Sequence, residues 1–217
     1  MRARIMSGEL AAGVQLPSTQ QLMERFDAAN ATIQRAVAAL KDEGFLTSRA
    51  GKGVYVRDRQ PFTVDASAYL APAPKAYSYR LLLVAEVLPP VEVAALLGGD
   101  SAVLRHRLLL HDGEPVELSW SYYPASVAAG TPLAGRGKIS GGAPKALADL
   151  GLPQREVVDR LSARLPTTEE LEALELPDDV PVIRQLRVVY SGDRRPVEVS
   201  ILVKGAHLYE LGYRFEL

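Results

Sequence analysis

The side chains with the clearest chemical potential stand at the start of a predicted helix near residue 30. Asn30 and Gln34 can each form two hydrogen bonds with an adenine edge, and Thr32 can contact a thymine methyl group. Together with Ala31 and Arg35, they face away from the apolar side of that helix. The pattern is typical of a helix that reads DNA, although a merely solvated helix also places polar residues opposite an apolar stripe.

Phosphate-contacting residues are predicted on either side of this helix. Ser18 and Thr19 stand at the start of the preceding predicted helix, where the partial positive charge of the N-terminus favours a phosphate group. Lys52 and Gly53 lie in a glycine-rich tip, from which the lysine can reach a phosphate or the minor groove. Phosphate contacts position a protein on DNA and base contacts specify the sequence, so the two groups have different predicted roles.

Three local elements must position these side chains. Ser18 can cap a first helix, Asn30 can cap a second that ends at Gly44, and a hairpin with a basic glycine-rich tip follows. This order predicts a winged helix-turn-helix, in which the second helix enters the major groove. The apolar positions that define these elements are Leu22, Met23 and Phe26, then Ile33, Ala36, Val37 and Leu40, then Phe45–Thr47 and Val54–Val56.

Composition excludes several classes of function. The chain has 217 residues, 47% of them hydrophobic and 24% charged, which predicts two packed domains rather than disorder. The absence of cysteine excludes disulfides, thiolate metal sites and a cysteine nucleophile. No apolar run approaches the roughly 18 residues that span a bilayer, and the start has no signal-peptide core. We therefore expect a cytoplasmic protein without membrane contact.

The net charge of −1 hides an asymmetry along the chain. Residues 1–60 hold nine Lys/Arg and six Asp/Glu, a net charge of +3, and the remainder holds 16 and 20, a net charge of −4. We predict a DNA-binding domain over 1–57, a linker over 58–79 rich in Pro and Ala, and a second domain over 80–217. A DNA-binding domain with a net charge of only about +3 predicts weak DNA binding by one copy of the chain, and higher affinity for DNA when two copies bind together.

The second domain is predicted to be α+β, with an antiparallel sheet and helices between runs of strands. Two turns, 111–114 and 191–194, contain Asp-Gly or Gly-Asp and join adjacent strands into hairpins. Thr167 and Glu170 have the spacing of a helix capping box. The predicted strands are 80–87, 102–110, 116–123, 155–165, 182–190 and 197–204, and the predicted helices are 90–97, 144–150 and 167–174.

The first domain resembles the DNA-binding domain of the GntR family of bacterial transcription regulators. The resemblance covers about fifty residues in the correct order and implies a winged helix-turn-helix that binds double-stranded DNA. It is carried by Gly8–Ser18, Leu22, Asn30–Leu46 and Gly51–Val56.

Two departures from the family pattern matter for function. Gln20, Asn30 and Gln34 occupy positions where the family usually has arginine, so we expect contacts directed to adenine rather than guanine. The family's first helix normally begins about ten residues before the position of Ile5, so we also expect a shortened first helix.

The second domain resembles the UTRA effector domain of the HutC-type branch of that family. This resemblance implies a fold similar to that of chorismate lyase, a dimer and a small-molecule effector. Coverage is about Tyr77–Leu217, and the matching segments are Val103–Arg107, Asp112–Val116, Ser121–Pro124, Thr167–Val182 and Arg195–Ser200.

The resemblance also implies candidate effector-binding residues. In members that sense sugar phosphates, two arginines on one strand hold the anion and carboxylates bond hydroxyls. Here Arg107 matches the first arginine, Leu109 replaces the second, Ser119 replaces a glutamate, Glu198 is retained and Lys204 replaces a common tyrosine. A doubly held phosphate is therefore not expected, whereas a monoanionic group remains compatible with the site.

Two further residues complete this candidate site. Arg105 shares a strand face with Arg107 because side chains alternate, and Ser121 belongs to a matching segment. A salt bridge between Arg107 and Glu198 that serves only the fold is the structural alternative, so the ligand class stays open.

The sequence therefore predicts a transcription regulator that binds a two-fold operator as a homodimer and responds to an effector of unknown identity. Repression is expected because most of the family represses. One alternative is a dimeric regulator that takes no ligand. Another is an enzyme related to the lyase, but no Ser/His/Asp order, phosphate loop or metal-spaced histidine set supports catalysis. No catalytic residue, metal or cofactor is predicted.

Overall fold

The computed structural model describes residues 1–57, 62–65, 77–176 and 180–212, and it divides into two compact units that are treated separately below. The first unit contains three helices and one hairpin, in the order predicted for a winged helix-turn-helix. These elements are α1 (Arg2–Met6), α2 (Thr19–Phe26), α3 (Asn30–Asp42), β1 (Leu46–Arg49) and β2 (Gly53–Val56).

Local hydrogen bonds determine where the two central helices begin. At α2, the Gln21 backbone amide donates to Ser18 Oγ, and the Ser18 amide donates to Gln21 Oε1, a reciprocal capping box that confirms the predicted start. The prediction that Asn30 caps α3 is wrong. The cap is Ala29, whose carbonyl accepts the first helical hydrogen bonds, and Asn30 is the first helical residue with an exposed side chain.

Most of the apolar positions predicted for these helices meet in one core, but the prediction is wrong for Phe26, the last residue of α2, and for Ala36, both of which are exposed. Because α2 and α3 each bury one face, their polar faces remain in solvent. In the hairpin, β1 pairs antiparallel with β2, and Arg49 lies opposite Gly53. The buried members of this core are Leu16, Leu22, Ile33, Leu40, Leu46 and Val56.

The second unit is an α+β domain built on a six-stranded sheet. Its elements are β3 (Phe62–Asp65), β4 (Tyr77–Val87), α4 (Val91–Leu97), β5 (Ala102–His111), β6 (Glu114–Pro124), α5 (Ala125–Ala128), α6 (Gly142–Asp149), β7 (Glu156–Arg164), α7 (Thr168–Ala173), β8 (Val182–Tyr190), β9 (Pro196–Gly205) and β10 (Tyr209–Gly212). The strand order of the sheet is β4-β5-β6-β9-β8-β7 and every neighbouring pair is antiparallel, which confirms the predicted fold class.

No helix in the described part of the chain is long and apolar enough to cross a membrane.

The two faces of this sheet differ in chemistry. One face is apolar: Val93 and Leu97 of α4 pack on it in one cluster, and Leu174 and Leu176 in a second. The other face carries most of the domain's buried polar side chains. At one end it is covered by an apolar cluster that includes Val103, Tyr123, Val127, Leu133, Leu147 and Val189. We call this side of the sheet the polar face.

The two predicted hairpin turns are present, with one difference in detail. Asp112 and Gly113 both have positive φ, as the turn between β5 and β6 requires. In the turn between β8 and β9, the positive φ falls on Asp193 and Arg194 instead of Gly192. The side-chain and backbone hydrogen bonds between Thr167 and Glu170 confirm the second capping box.

The predicted linker over 58–79 contains structure. Residues Phe62–Asp65 form β3, which pairs in parallel with β10, and β4 already begins at Tyr77. The sequence alternation of Phe62 to Asp65 suits a strand, but its pairing partner lies almost 150 residues away and no local pattern identifies it. The rest of the predicted linker, residues 58–61 and 66–76, lies outside the described residues, as do 177–179 and 213–217.

Candidate nucleic-acid interface and small-molecule site

The reading side chains predicted on α3 are exposed. Asn30, Thr32, Gln34 and Arg35 all lie on the solvent side, while Ile33 between them is buried in the core. Helix geometry therefore separates the two sets as the sequence pattern predicts. An exposed helix with amide, hydroxyl and guanidinium groups in its first two turns can present hydrogen-bonding groups to base edges.

The start of α2 lies against the start of α3. Gln34 Nε2 is 3.4 Å from Thr19 Oγ1, so the two helices contact each other through polar groups at the candidate interface. Thr19 is partly buried there, whereas Ser18 and Gln20 are exposed. The predicted phosphate-contacting and base-reading residues of these helices are therefore neighbours.

The hairpin tip, which corresponds to the wing, is held by contacts that sequence reasoning missed. The Lys52 carbonyl accepts hydrogen bonds from Gln15 Nε2 at 2.7 Å and from the Tyr55 hydroxyl at 3.1 Å. The Arg49 guanidinium lies 4.3 Å from the centre of the Tyr55 ring. Gly53 has a φ of +107°, and a Cβ there would lie 2.7 Å from Gln15 Nε2. The tip therefore has a fixed backbone, with the exposed Lys52 side chain available for a partner.

All six predicted effector-binding residues lie on the polar face. The strand register places Arg107 opposite Ser119 and Arg105 opposite Ser121. On the next strand, Ser200 lies opposite Ser121, and Glu198 and Lys204 share its face because side chains alternate. The sheet thus brings together residues that are almost a hundred positions apart.

A hydrogen-bonded chain connects Arg107 with Glu198. Arg107 Nη2 donates to Ser121 Oγ at 2.7 Å and to Ser119 Oγ at 3.2 Å. The hydroxyls of Ser121 and Ser200 lie 2.7 Å apart, and Ser200 donates to Glu198 Oε1 at 2.6 Å. The two charged groups are therefore linked through serines, so the direct salt bridge considered from the sequence is replaced by a polar relay.

Arg105 has a different environment from Arg107. It is almost fully buried, and its Nη1 donates to the carbonyls of Leu133 at 2.9 Å and Gly135 at 2.5 Å. Its Nη2 donates to the Gly137 carbonyl at 3.3 Å. Burial lowers the pKa of Arg105. These contacts hold the segment 132–137 over the polar face, so we propose that Arg105 positions this segment.

Lys204 is also internally satisfied. Its ammonium lies 2.7 Å from Glu117 Oε2 and donates to Gln185 Oε1 at 3.0 Å. Gln185 Nε2 donates to Asp159 Oδ2, which with Oδ1 also accepts two hydrogen bonds from Arg187. Burial lowers the pKa of Lys204, and the charge of Glu117 opposes this effect. We call these five residues the buried charged cluster; the sequence analysis identified only its lysine.

Three buried polar atoms on the polar face form no hydrogen bond of normal geometry with the described residues, although the Tyr123 hydroxyl interacts with Ser121. They are Arg105 Nε, Arg107 Nε and the Tyr123 hydroxyl. Tyr123 is fully buried, and burial raises the pKa of its hydroxyl, with the charge of Glu198 acting in the same direction. The tyrosine therefore remains a hydrogen-bond donor at neutral pH. The sequence does not indicate that Tyr123 is a buried donor, because an aromatic residue in a predicted strand is typical of an apolar core position.

The described residues contain no group of three or more His, Cys, Asp or Glu side chains that could hold a metal ion. Of the three histidines, His106 lies on the apolar face, stacked on Trp120 with ring centroids 4.6 Å apart. Burial lowers the pKa of His106. This histidine is therefore separated from the polar face by the sheet itself.

Comparison with known proteins identifies both units. A family model for the UTRA domain matches residues 73–210, and a model for bacterial regulatory proteins of the gntR family matches residues 1–56. An uncharacterised HTH-type transcriptional regulator of Streptomyces coelicolor is 27% identical, over 99% of this chain and 89% of that protein. The HTH-type transcriptional regulator GgaR of Escherichia coli is 25% identical, over 94% of this chain and 84% of that protein.

Solved structures show the same fold. A crystal structure of a GntR-family transcriptional regulator matches with a TM-score of 0.66 and 23% identity, over 100% of this chain and 94% of that one. PhnF from Mycobacterium smegmatis matches with a TM-score of 0.60 and 20% identity, over 99% and 97%. The matches cover between 84% and 97% of the length of these four proteins.

Proposed function

Because this chain belongs to the GntR family of bacterial regulatory proteins and carries a UTRA domain, we propose that it represses transcription by binding a two-fold operator as a dimer, under the control of a small effector. Its class, a DNA-binding transcription regulator, follows from the family. The mode of regulation, the dimer and the effector are our proposal. The observation that carries the proposal is the exposed set of reading side chains on α3 beside an ordered wing.

The reading chemistry supports an operator with adenine at key positions. Asn30 and Gln34 are exposed amides in the first two turns of α3, and an amide bonds adenine through its N6 and N7 atoms. Arg35 is the exposed guanidinium within this stretch of the helix and can contact a phosphate or a guanine. We propose that the half-site is read mainly by the two amides.

A dimer is supported by the modest charge of the DNA-binding unit. Residues 1–60 have a net charge of +3, and sequence-independent affinity for DNA grows with the number of phosphates neutralised. Two linked heads convert the second binding event into an intramolecular one, which multiplies affinity without a new kind of contact. A two-fold operator is the arrangement that two identical heads can occupy together.

An effector site on the polar face is supported by Arg107, Glu198 and the buried Tyr123 hydroxyl. Of the six predicted residues, Arg107, Ser119, Ser121 and Glu198 belong to the relay, whereas both Nη atoms of Arg105 and the Lys204 ammonium are bonded to other groups of the protein. We therefore propose the first four, with Tyr123, as the ligand-contacting set. An effector controls DNA binding if it binds the operator-competent and incompetent arrangements with different affinity.

The internal hydrogen bonds of the Arg105 Nη atoms and the ion pair of Lys204 favour the second candidate function, a dimeric regulator that takes no ligand. The two proposals differ in one measurable property. A ligand that shifts the thermal midpoint of the full chain and changes operator retention supports effector control. Absence of both responses across a broad metabolite screen supports the ligand-free regulator.

The operator proposal is tested by selection from a random duplex pool with the full chain. We expect enriched sites with two inverted half-sites and adenine at the positions that depend on Asn30 and Gln34. A matched selection with Asn30→Ala should relax the base preference at one position of each half-site. Enrichment of single half-sites, or of guanine at the key positions, would contradict the proposal.

A further inference from the structure

The polar face carries one more positive than negative charge among its buried and half-buried side chains in the described part of the chain. Two cations are balanced within the buried charged cluster, where Lys204 pairs with Glu117 and Arg187 with Asp159, each at 2.7 Å. The two remaining cations face one remaining carboxylate. The charged set is Arg105, Arg107, Arg187 and Lys204 against Glu117, Asp159 and Glu198.

The buried atoms without a normal hydrogen bond also favour an anionic ligand, because they are mainly hydrogen-bond donors. Arg105 Nε and Arg107 Nε can only donate, the Tyr123 hydroxyl can donate or accept, and no buried carboxylate or amide oxygen on this face lacks a partner among the described residues. Buried polar groups normally have hydrogen-bond partners, and a buried donor without one destabilises the protein. A ligand that supplies acceptors and one negative charge would complement both the charge and the hydrogen bonding of this face.

A doubly charged ligand fits less well. A phosphate monoester carries a charge between −1.5 and −2 at pH 7, whereas the face has an excess of about one positive charge. Leu109 occupies the next position on the same side of β5 as Arg107, where a second cation would help to hold a dianion. Leu109 packs instead against the apolar cluster of Val116, Leu208 and Tyr209. An uncompensated charge in this buried setting is unfavourable.

We propose that the site takes a small hydroxycarboxylate with a single negative charge. Its carboxylate binds Arg107 and the Tyr123 hydroxyl, and its hydroxyl end donates to Glu198. Arg107 and Glu198 lie on β5 and β9, which are separated by β6, so their backbones are two strand spacings apart, about 10 Å. Ser121 and Ser200 link the two charged groups across this interval, so the carbon chain of the ligand would lie over these two hydroxyls. This inference rests on the proposed effector function.

The test compares carboxylates with phosphate esters and uncharged polyols of similar size. Glycerate, threonate and ribonate would be titrated into the full chain beside glycerol 3-phosphate, ribitol 5-phosphate and the uncharged polyols, by calorimetry and thermal shift. We expect at least one carboxylate to bind on the order of tenfold more tightly than its phosphate counterpart, with no binding of the polyols. Equal or tighter binding of phosphate esters would overturn the inference, and so would absence of carboxylate binding.

Variants assign the binding to this face. Arg107→Gln should abolish carboxylate binding, and Tyr123→Phe should weaken it while leaving the fold intact, because only the hydroxyl is removed. Arg160→Gln is the matched control, since Arg160 is exposed and its neighbour Asp159, not Arg160, lies on the polar face. Leu109→Arg should shift the preference towards phosphate esters by adding a second cation. Unchanged carboxylate affinity in Arg107→Gln and Tyr123→Phe would contradict the assignment, even if Leu109→Arg fails to fold.

Operator binding, measured in parallel, distinguishes a failure of the carboxylate assignment from a failure of the proposed effector control. If a phosphate ester binds and changes DNA affinity, effector control stands and the carboxylate assignment fails. If a carboxylate binds at this face without changing DNA affinity, the ligand class stands and effector control fails.

Discussion

The two units of this regulator place their polar side chains in opposite environments. The DNA-binding unit keeps Asn30, Thr32 and Gln34 in solvent, whereas the UTRA domain buries Lys204 and Arg187 within a sheet face. Groups that read DNA must be accessible to a large partner, and water can satisfy their hydrogen bonds in the unbound protein. Charged groups buried within a sheet face must be balanced by their neighbours, so each one is coupled to the stability of its domain. A substitution of these exposed residues in the first unit should therefore change DNA binding, whereas a substitution of the buried charged residues in the second should first change the free energy of unfolding.

The largest effect is expected at the buried charged cluster. Lys204→Met removes the cation that balances Glu117 in a fully buried setting, and breaking a buried ion pair destabilises a protein by about 3–5 kcal/mol. Urea unfolding of the full chain measures this loss. The double variant Glu117→Leu with Lys204→Met should recover much of the stability. A loss below about 1 kcal/mol in the single variant would contradict the account of this cluster.

A large effect on DNA binding without an effect on stability is expected on α3. Asn30→Ala with Gln34→Ala removes two exposed amides, each of which contributes about 1–3 kcal/mol of base discrimination. Operator affinity, measured by gel shift at fixed salt, should fall steeply, while the unfolding midpoint changes little. Asp42→Asn, at the far end of α3, is the control. A clearly lower unfolding temperature of the double variant would contradict the prediction that these exposed residues affect DNA binding and not stability.

The two capping boxes give a matched comparison of intermediate size. Ser18→Ala and Thr167→Ala each remove a side-chain acceptor from a helix N-terminus and should each cost about 1 kcal/mol of stability. Only Ser18→Ala should also weaken operator binding, because Ser18 is exposed beside the reading helix. Thermal unfolding and gel shifts on both variants test this. An equal loss of operator binding in both would show that the caps act on DNA binding through stability alone.

The smallest effect is expected at the wing. Gln15→Ala removes one hydrogen bond to the Lys52 carbonyl, a net contribution of about 0.5–1.5 kcal/mol. Because the bond fixes the tip that carries Lys52, operator affinity should fall moderately, with little change in unfolding. Gln15→Glu keeps the shape but loses the donor and should behave like the alanine variant. Operator binding at the wild-type level in both variants would show that the wing does not need this contact.

Sequence reasoning was accurate for features formed by neighbours in the chain. The helix started by Ser18, the turn at Asp112 and Gly113, and the capping box at Thr167 all depend on residues within four positions. The error at Asn30 was also local, since an asparagine next to a helix start can serve either as cap or as first helical residue. Strand alternation placed Arg105 and Arg107 on one face of β5, as the structure shows, because both residues belong to the same strand.

Contacts between distant residues were beyond sequence reasoning. Alternation gives the face of each strand but not which strands are neighbours, so the pairs Lys204–Glu117 and Arg187–Asp159 had no signal. The Gln15 contact with the wing and the pairing of β3 with β10 were missed for the same reason. In each case, the residues that flank either partner in the sequence do not indicate that it contacts the other.

The sequence by itself determined the family, the helix-turn-helix with its wing, and the set of exposed side chains that we propose read DNA. These depend on short-range periodicity, caps and motifs. The tertiary structure alone decided which charges meet on the polar face, because strand order brings β5, β6, β9, β8 and β7 side by side regardless of their order in the chain. The balance of charge on that face, and with it the proposed ligand class, is therefore a property of the folded sheet rather than of any segment of the sequence.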